Sequence, residues 1–131
     1  MKWHQLTLNP QSLDSLYEVV PDLENVELFS INLNPEGSQI QISFDLPSFP
    51  AKPSNRWHKD FNTVQIQLSF WGITKFEAKG WQSNMKVKID IKERDNVLEV
   101  LIANSEIDLR YTFLSEFLRI EKVSPYLQEV S

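Results

Sequence analysis

The sequence predicts an α+β, mainly β domain: an antiparallel sheet of about seven to eight strands, curved or folded into a sandwich, with one N-terminal helix packed on it. Three observations predict this fold. Several segments alternate apolar and polar residues with the two-residue period of a half-buried strand. Short polar turns join these segments without intervening helices, which is typical of antiparallel rather than βαβ order. One stretch near the N-terminus instead spaces its apolar residues as a helix does.

The helix is predicted over residues 10–20. Asn9 is positioned to cap it, and Pro10 suits the first helical position. Pro21 ends it, because the residue before a proline is disfavoured in helical geometry. Four residues at positions i, i+3, i+4 and i+7 form the apolar stripe that we expect to cover one end or face of the sheet: Leu13, Leu16, Tyr17 and Val20.

The first two strands are predicted as a hairpin over residues 26–46. The sequence NPEG at 34–37 has proline and glycine where a type I turn prefers them. Apolar residues alternate along both strands and are expected to face the core: Phe29, Ile31, Leu33, Ile40, Ile42, Phe44 and Leu46. A stretch with three prolines, 46–60, is predicted to be a long loop.

The alternation resumes after this loop. A strand is predicted at 62–70, and Gly72 allows a bend into a shorter strand at 73–78. The last apolar segment, 117–123, is compatible with a strand or a short helix. Three further strands, separated by short polar turns, are predicted at 86–92, 98–102 and 107–113.

Length and charge narrow the function classes. A chain of 131 residues without cysteine is predicted to be one domain, 1–131, suited to a reducing cytoplasm. No apolar window is long enough for a membrane span, and the N-terminus lacks a signal-peptide core. The net charge of −5 argues against a nucleic-acid partner, which requires a basic surface. The charge is uneven: residues 1–50 carry −6, whereas 51–94 carry +5.

The sequence offers little that favours catalysis. His58 and Asp60 are two possible metal ligands, but a catalytic zinc site needs three protein ligands and a structural one four. No serine lies in a glycine-flanked elbow, and three glycines provide no phosphate-binding loop. We therefore expect no enzyme activity, no metal and no cofactor.

A series of short aromatic motifs runs along the chain. Trp57 lies in the proline-rich stretch, Asn62 opens the strand FNTVQIQLSF, and WGI forms the bend. Gly80-Trp81 follows, and an Ile-x-x-Val-Ser-Pro-Tyr tail occupies 120–126. In this order, the motifs resemble the immunity protein 50 family of bacterial polymorphic toxin systems. The resemblance implies a small cytoplasmic inhibitor that binds one cognate toxin domain and blocks it without chemistry. It also implies that Trp57, Asn62 and Trp81 hold the fold.

The partner is therefore predicted to be a toxin domain, and many toxins of such systems are nucleases with basic active sites. An acidic inhibitor suits such a partner. The protein itself is predicted to be a monomer or a weak homodimer, because an unpaired sheet edge favours pairing. The predicted contact residues are acidic residues near the helix and a polar, weakly charged strand face: Asp14, Glu18, Asp22, Gln65, Gln67 and Trp71.

Two alternatives stay open. In the first, the chain is a small-ligand or carbohydrate-binding β module in which Trp57, Trp71 and Trp81 provide stacking platforms. In the second, it is a hydrolase built on His58 and Asp60, which requires a further polar side chain beside them in a cleft.

Overall fold

The computed structural model describes residues 3–46, 63–82 and 85–126. This part of the chain forms one antiparallel sheet of eight strands that does not close, in the order β4-β7-β6-β5-β1-β2-β3-β8. The strands are β1 Val26–Asn34, β2 Gln39–Asp45, β3 Thr63–Trp71, β4 Lys75–Lys79, β5 Lys86–Arg94, β6 Val97–Asn104, β7 Leu109–Ser115 and β8 Phe117–Tyr126. The mainly β prediction and the hairpin over 26–46 are confirmed, and the last apolar segment is a strand.

The sheet folds back on itself around one core. Its first half is β1-β2-β3-β8 and its second half is β4-β7-β6-β5. Only two residue pairs join β1 to β5, Val26 with Val87 and Glu27 with Lys86. Phe70 of β3 nevertheless meets Phe113 of β7 edge to face, with ring centroids 4.9 Å apart. Since these two strands are far apart in the strand order, the contact shows that the two halves face each other.

A sharp corner carries the chain between the halves. β3 continues into β4 through Gly72, and β7 continues into β8 through Glu116. Gly72 has φ +68°, and a Cβ there would lie 2.6 Å from Cγ of Glu116. The Ser115 hydroxyl and the Glu116 N–H both donate to the carbonyl of Trp71, at 2.8 and 2.9 Å. The bend predicted at Gly72 is thus present, and the two connections are bonded to each other.

The helix predicted over 10–20 is wrong in length. α1 is a single turn, Gln11–Asp14, preceded by a 3-10 turn at Trp3–Leu6. Leu13, Leu16, Tyr17 and Val20 are nevertheless buried in the core. Their helical spacing therefore predicted their burial correctly, although no continuous helix forms. Burial raises the pKa of Tyr17 to about 12.

The cap predicted at Asn9 is also wrong. The Asn9 amide instead donates to the carbonyl of Ile120 at 2.8 Å and accepts the N–H of Ile120 at 2.9 Å. Thr7 forms a parallel bridge with Leu118, and the Leu8 N–H donates to the Leu118 carbonyl at 3.0 Å. The side chain that was expected to cap the helix therefore fastens the N-terminal segment to the edge of β8.

The predicted core side of β1 is wrong in its second half. Phe29 is 50% exposed and Leu33 is 56% exposed, whereas Ile31 is half-buried. A bulge between Leu28 and Ser30 takes Phe29 out of the alternation. After Leu28, whose N–H donates to the carbonyl of Met85, β1 also leaves β5. Among the described residues, no strand pairs with this side of β1 beyond Leu28, where these apolar side chains lie.

Gly80 is expected to be much less replaceable than Gly37. Both have positive φ, so alanine should cost about 1–2 kcal/mol at either position. A Cβ at Gly80 would also lie 2.7 Å from the backbone oxygen of Asp108, whereas at Gly37 the nearest contact is the Trp71 side chain at 3.6 Å. We therefore expect Gly80→Ala to lower the free energy of unfolding by about 1–3 kcal/mol more than Gly37→Ala in urea titrations. Equal losses would contradict the steric argument.

Candidate functional site

The outer surface of the first half of the sheet is mostly polar. Ile40, Ile42 and Phe44 point into the core, so the alternate residues of β2 and its neighbours point outward. We call this surface the polar face, defined by outward residues of β2, β3 and β8: Gln39, Gln41, Ser43, Gln65, Gln67, Ser69, Trp71, Phe117, Arg119, Lys122 and Ser124. Its centre consists of amides and hydroxyls; the Gln67 amide lies within donating distance of Gln41, at 3.4 Å.

Trp71 is fixed at one end of the polar face. Its ring stacks on Phe117, with centroids 6.1 Å apart and planes inclined by 12°. The indole N–H donates to the Ser69 hydroxyl at 3.0 Å, and that hydroxyl donates to Glu121 at 2.6 Å. Ser69 is fully buried beneath this chain of bonds. Trp71 is therefore half-buried in a single orientation, with part of its ring presented on the surface.

The predicted acidic contacts lie on the N-terminal segment, which crosses from β8 to β5. Asp14, Glu18 and Asp22 are all exposed. Asp14 Oδ1 lies 2.9 Å from Nε2 of the buried His4. At the far end of the segment, the Ile89 N–H of β5 donates to the carbonyl of Leu23 at 2.8 Å.

The predicted contact residues therefore form two groups. Gln65, Gln67 and Trp71 share the polar face on β3, and β8 lies directly beside that strand. Asp14 ends α1, and the segment that leads into α1 is bonded to β8 at Leu118 and Ile120. Asp22 lies at the other end of the segment, at a groove beside β5.

A family comparison identifies this architecture. The family model described as immunity protein 50 matches residues 9–126. The chain belongs to the immunity protein 50 family. The match begins at Asn9, the residue that fastens the N-terminal segment to β8, and ends with β8 itself. It therefore spans all eight strands. No significant match is found among the curated proteins or the solved structures.

The structure reverses one expectation that came with the immunity protein 50 resemblance. Trp81 does not hold the fold, because it is 73% exposed. Gly80 has the structural role instead: the Tyr111 hydroxyl donates to its carbonyl at 2.7 Å, and its close approach to Asp108 leaves no room for a side chain. Trp57 and Asn62 lie outside the described residues.

The two alternative functions gain no geometric support. Trp71 is packed on Phe117 at the end of β3, whereas Trp81 lies exposed beyond β4. His58 and Asp60 lie outside the described residues. Within the described ranges, no group of three or more His, Cys, Asp or Glu side chains is placed to hold a metal ion. No helix in those ranges is long and apolar enough to cross a membrane.

Sequence reasoning missed the exposed apolar residues of β1. Phe29 and Leu33 were assigned to the core because they continue the alternation. No local signal marks the bulge at Phe29. The aromatic pair formed by Trp71 and Phe117 was missed as well, because it depends on which strands are neighbours.

Proposed function

We propose that this protein is the immunity partner of a bacterial polymorphic toxin, and that it binds the toxin domain and blocks it by occlusion. The match to immunity protein 50 over residues 9–126 carries this proposal. Occlusion requires no reacting group on the inhibitor, only a surface that fits the toxin. The polar face and the adjoining acidic segment are the surface we assign to it.

The polar face suits a partner that must be bound tightly in the cell. Uncharged amides and hydroxyls cost less to desolvate than charged side chains do. Trp71 is held by Phe117 and Ser69, so it offers an aromatic anchor that loses little conformational freedom on binding. Gln65 and Gln67 lie between this anchor and the far end of β3.

The acidic residues suit a basic toxin surface. Asp14, Glu18 and Asp22 are all exposed on the N-terminal segment; Asp14 lies at its β8 end, beside the polar face, and Asp22 lies at its β5 end. Much of the positive charge in the middle of the sequence lies on β4 and β5, in the other half of the sheet. A basic toxin is therefore attracted by the N-terminal segment and not by the polar face itself, where β8 exposes Arg119 and Lys122. A nuclease is the toxin class we favour, because its active site must attract phosphates.

The direct test is protection from the toxin encoded beside this gene. Co-expression should restore growth of cells that produce the toxin domain, and the two proteins should co-purify as a complex. A catalytically inactive toxin variant should be retained as well, because occlusion needs binding and not turnover. Absence of both protection and binding with the neighbouring toxin would refute the proposal.

The acidic segment is expected to act mainly on the association rate. Glu18→Lys combined with Asp22→Lys should slow association with a basic toxin by about tenfold at low salt, with the difference shrinking as salt rises. Asp14 is left intact because it pairs with His4. Stopped-flow mixing at several salt concentrations measures this effect.

The control carries the same charge change elsewhere. Glu93→Lys with Glu106→Lys alters two exposed residues on β5 and at the turn after β6. This pair should slow association less. Equal slowing in both double variants would mean that net charge alone steers the toxin, and would contradict the assigned location.

A further inference from the structure

β8 carries one residue more than its pairing with β3 requires. Gln67 of β3 lies opposite Lys122, whereas the next residue, Leu68, lies opposite Ile120. Glu121 is therefore the extra residue of a β-bulge and has no partner of its own on β3. Because a bulge shifts the alternation of side chains, Glu121 and Lys122 both lie on the side of the polar face. The bulge thus gives the polar face a carboxylate in addition to the residue that pairs with Gln67.

The Glu121 carboxylate is bonded to a buried hydroxyl. Its Oε1 accepts the hydroxyl hydrogen of Ser69 at an O–O distance of 2.6 Å, as in the strong bonds that hydroxyls donate to carboxylates. Ser69 is fully buried, so its hydroxyl is shielded from water. Within the described ranges, no ion pair joins Glu121 to the neighbouring Arg119 or Lys122. The carboxylate therefore serves Ser69 and not a surface ion pair.

This bond fixes the direction of the Ser69 hydroxyl. A serine hydroxyl has one hydrogen to donate and two lone pairs that accept. With the hydrogen directed at Glu121, the lone pairs are left to accept the indole N–H of Trp71, 3.0 Å away. The negative charge of the carboxylate polarises the hydroxyl and strengthens it as an acceptor. The two bonds form one directed chain from Trp71 through Ser69 to Glu121.

The chain of bonds decides which way the Trp71 ring is turned. The backbone of Trp71 is held at the corner by Ser115 and Glu116, and its ring stacks on Phe117. Stacking alone does not distinguish the two faces of the indole, because the outer side-chain torsion of tryptophan is broad and roughly two-fold. Turning the ring over would carry the N–H away from Ser69. The bond to Ser69 therefore selects one of the two orientations.

We propose that Glu121 is a positioning residue of the toxin interface: through Ser69 it holds Trp71 in the orientation in which the toxin binds it. This inference rests on the proposed function, since it takes Trp71 as a contact with the toxin. Because the indole N–H is used within the protein, Trp71 offers the toxin ring carbons and no hydrogen bond. Holding the ring before binding also reduces the entropy that is lost when the complex forms.

Nuclear magnetic resonance of the free protein tests the positioning without a toxin. The chain has four tryptophans, and Trp71→Phe identifies the indole N–H signal of Trp71 by its loss. Glu121→Ala should shift this signal and speed the exchange of its hydrogen with solvent at least about tenfold. Glu121→Gln should stay close to the wild type, because its amide oxygen still accepts from Ser69.

The matched control for this measurement is Lys122→Ala. Lys122 is the neighbouring exposed residue at the same bulge, and it lies opposite Gln67 rather than Ser69. Its truncation should leave the Trp71 signal unchanged. An unchanged Trp71 signal in Glu121→Ala would overturn the positioning role, whatever the toxin does.

Affinity for the toxin encoded beside this gene tests the consequence. Glu121→Ala should weaken binding about three- to tenfold, the effect expected when one more side chain has to be ordered on binding. Ser69→Ala should weaken it similarly, because it removes the acceptor of the indole N–H. Glu121→Gln should retain nearly the wild-type affinity. If Glu121→Gln bound as weakly as Glu121→Ala, the toxin would be recognising the negative charge itself, and the positioning role would be wrong.

A double-mutant cycle with Trp71→Phe separates positioning from direct contact. Phenylalanine keeps a ring that can stack on Phe117, but it has no N–H to donate to Ser69. In this background Glu121→Ala should cause no further loss of affinity, whereas two independent contacts would give additive losses.

The failure of this proposal and the failure of the proposed function give different results. If the wild type binds the toxin but the losses in the cycle are additive, the immunity function stands and Glu121 is not a positioning residue. If the wild type binds no toxin, the proposed function fails, and the role of Trp71 as an anchor fails with it.

Discussion

Phe70→Ala is expected to lower the free energy of unfolding by about 3–5 kcal/mol. Phe70 is fully buried, and its ring meets Phe113 edge to face across the core. The substitution therefore removes a contact that joins the two halves of the sheet, and it leaves a cavity between layers that cannot both relax. Most single domains are stable by only about 5–15 kcal/mol, so the loss is a large fraction of the total. Urea denaturation followed by tryptophan fluorescence measures it.

The matched control is Phe29→Ala. Phe29 is half exposed at the bulge of β1, so its truncation should cost less than about 1 kcal/mol. If both substitutions were equally mild, the two halves of the sheet would not share the core between β3 and β7. If Phe29→Ala were the more costly one, the exposed edge of β1 would be wrongly described.

The alternation of apolar and polar residues correctly predicted the buried face of a strand that has a neighbour on each side, as β3 does. Gln65 and Gln67 were assigned outward and Ile66 inward, and the structure has Ile66 fully buried between two half-buried glutamines. β3 pairs with β2 and β8 along its length, so one face is packed throughout. The rule failed in β1, because a bulge shifts Phe29 and the loss of β5 uncovers Leu33.

The N-terminal segment shows a different limit. Leu13, Leu16, Tyr17 and Val20 have helical spacing, and all four are buried, but only one helical turn forms. The spacing of the apolar residues predicted which side chains are buried. It did not predict the backbone conformation, which depends on the part of the sheet that the segment covers. The contact that fixes this segment joins Asn9 to Ile120, 111 residues apart. No local pattern can indicate such a pair.

The candidate site was predictable in its chemistry and not in its arrangement. The alternation of apolar and polar residues along β3 predicted that Gln65 and Gln67 lie on a polar surface. The pairing of Trp71 with Phe117, and the bond from Ser69 to Glu121, depend on β8 lying beside β3. That neighbour relation follows from the sheet topology, which short aromatic motifs do not encode.

Gln65→Lys combined with Gln67→Lys is expected to weaken toxin binding by about 100-fold or more. The free protein should lose at most about 1 kcal/mol of stability, because lysine at position 67 lies opposite Lys122. Both residues are outward on β3 and half-buried, so lysine at these positions reaches water in the free protein. A bound toxin removes that water and leaves two unpaired charges at the centre of the interface. The dissociation rate should therefore rise more than the association rate falls. Calorimetric titration and surface-immobilised kinetics measure the two effects.

The matched control is Thr112→Lys with Leu114→Lys. These residues are also half-buried and two positions apart on one strand, but they lie on β7 in the other half of the sheet. They should not alter toxin affinity if the polar face is the docking surface. Loss of affinity in the β7 variant with full affinity in the β3 variant would move the interface to the second half of the sheet. Both double variants add two positive charges. A difference in their toxin affinity therefore reports on which half of the sheet the toxin contacts.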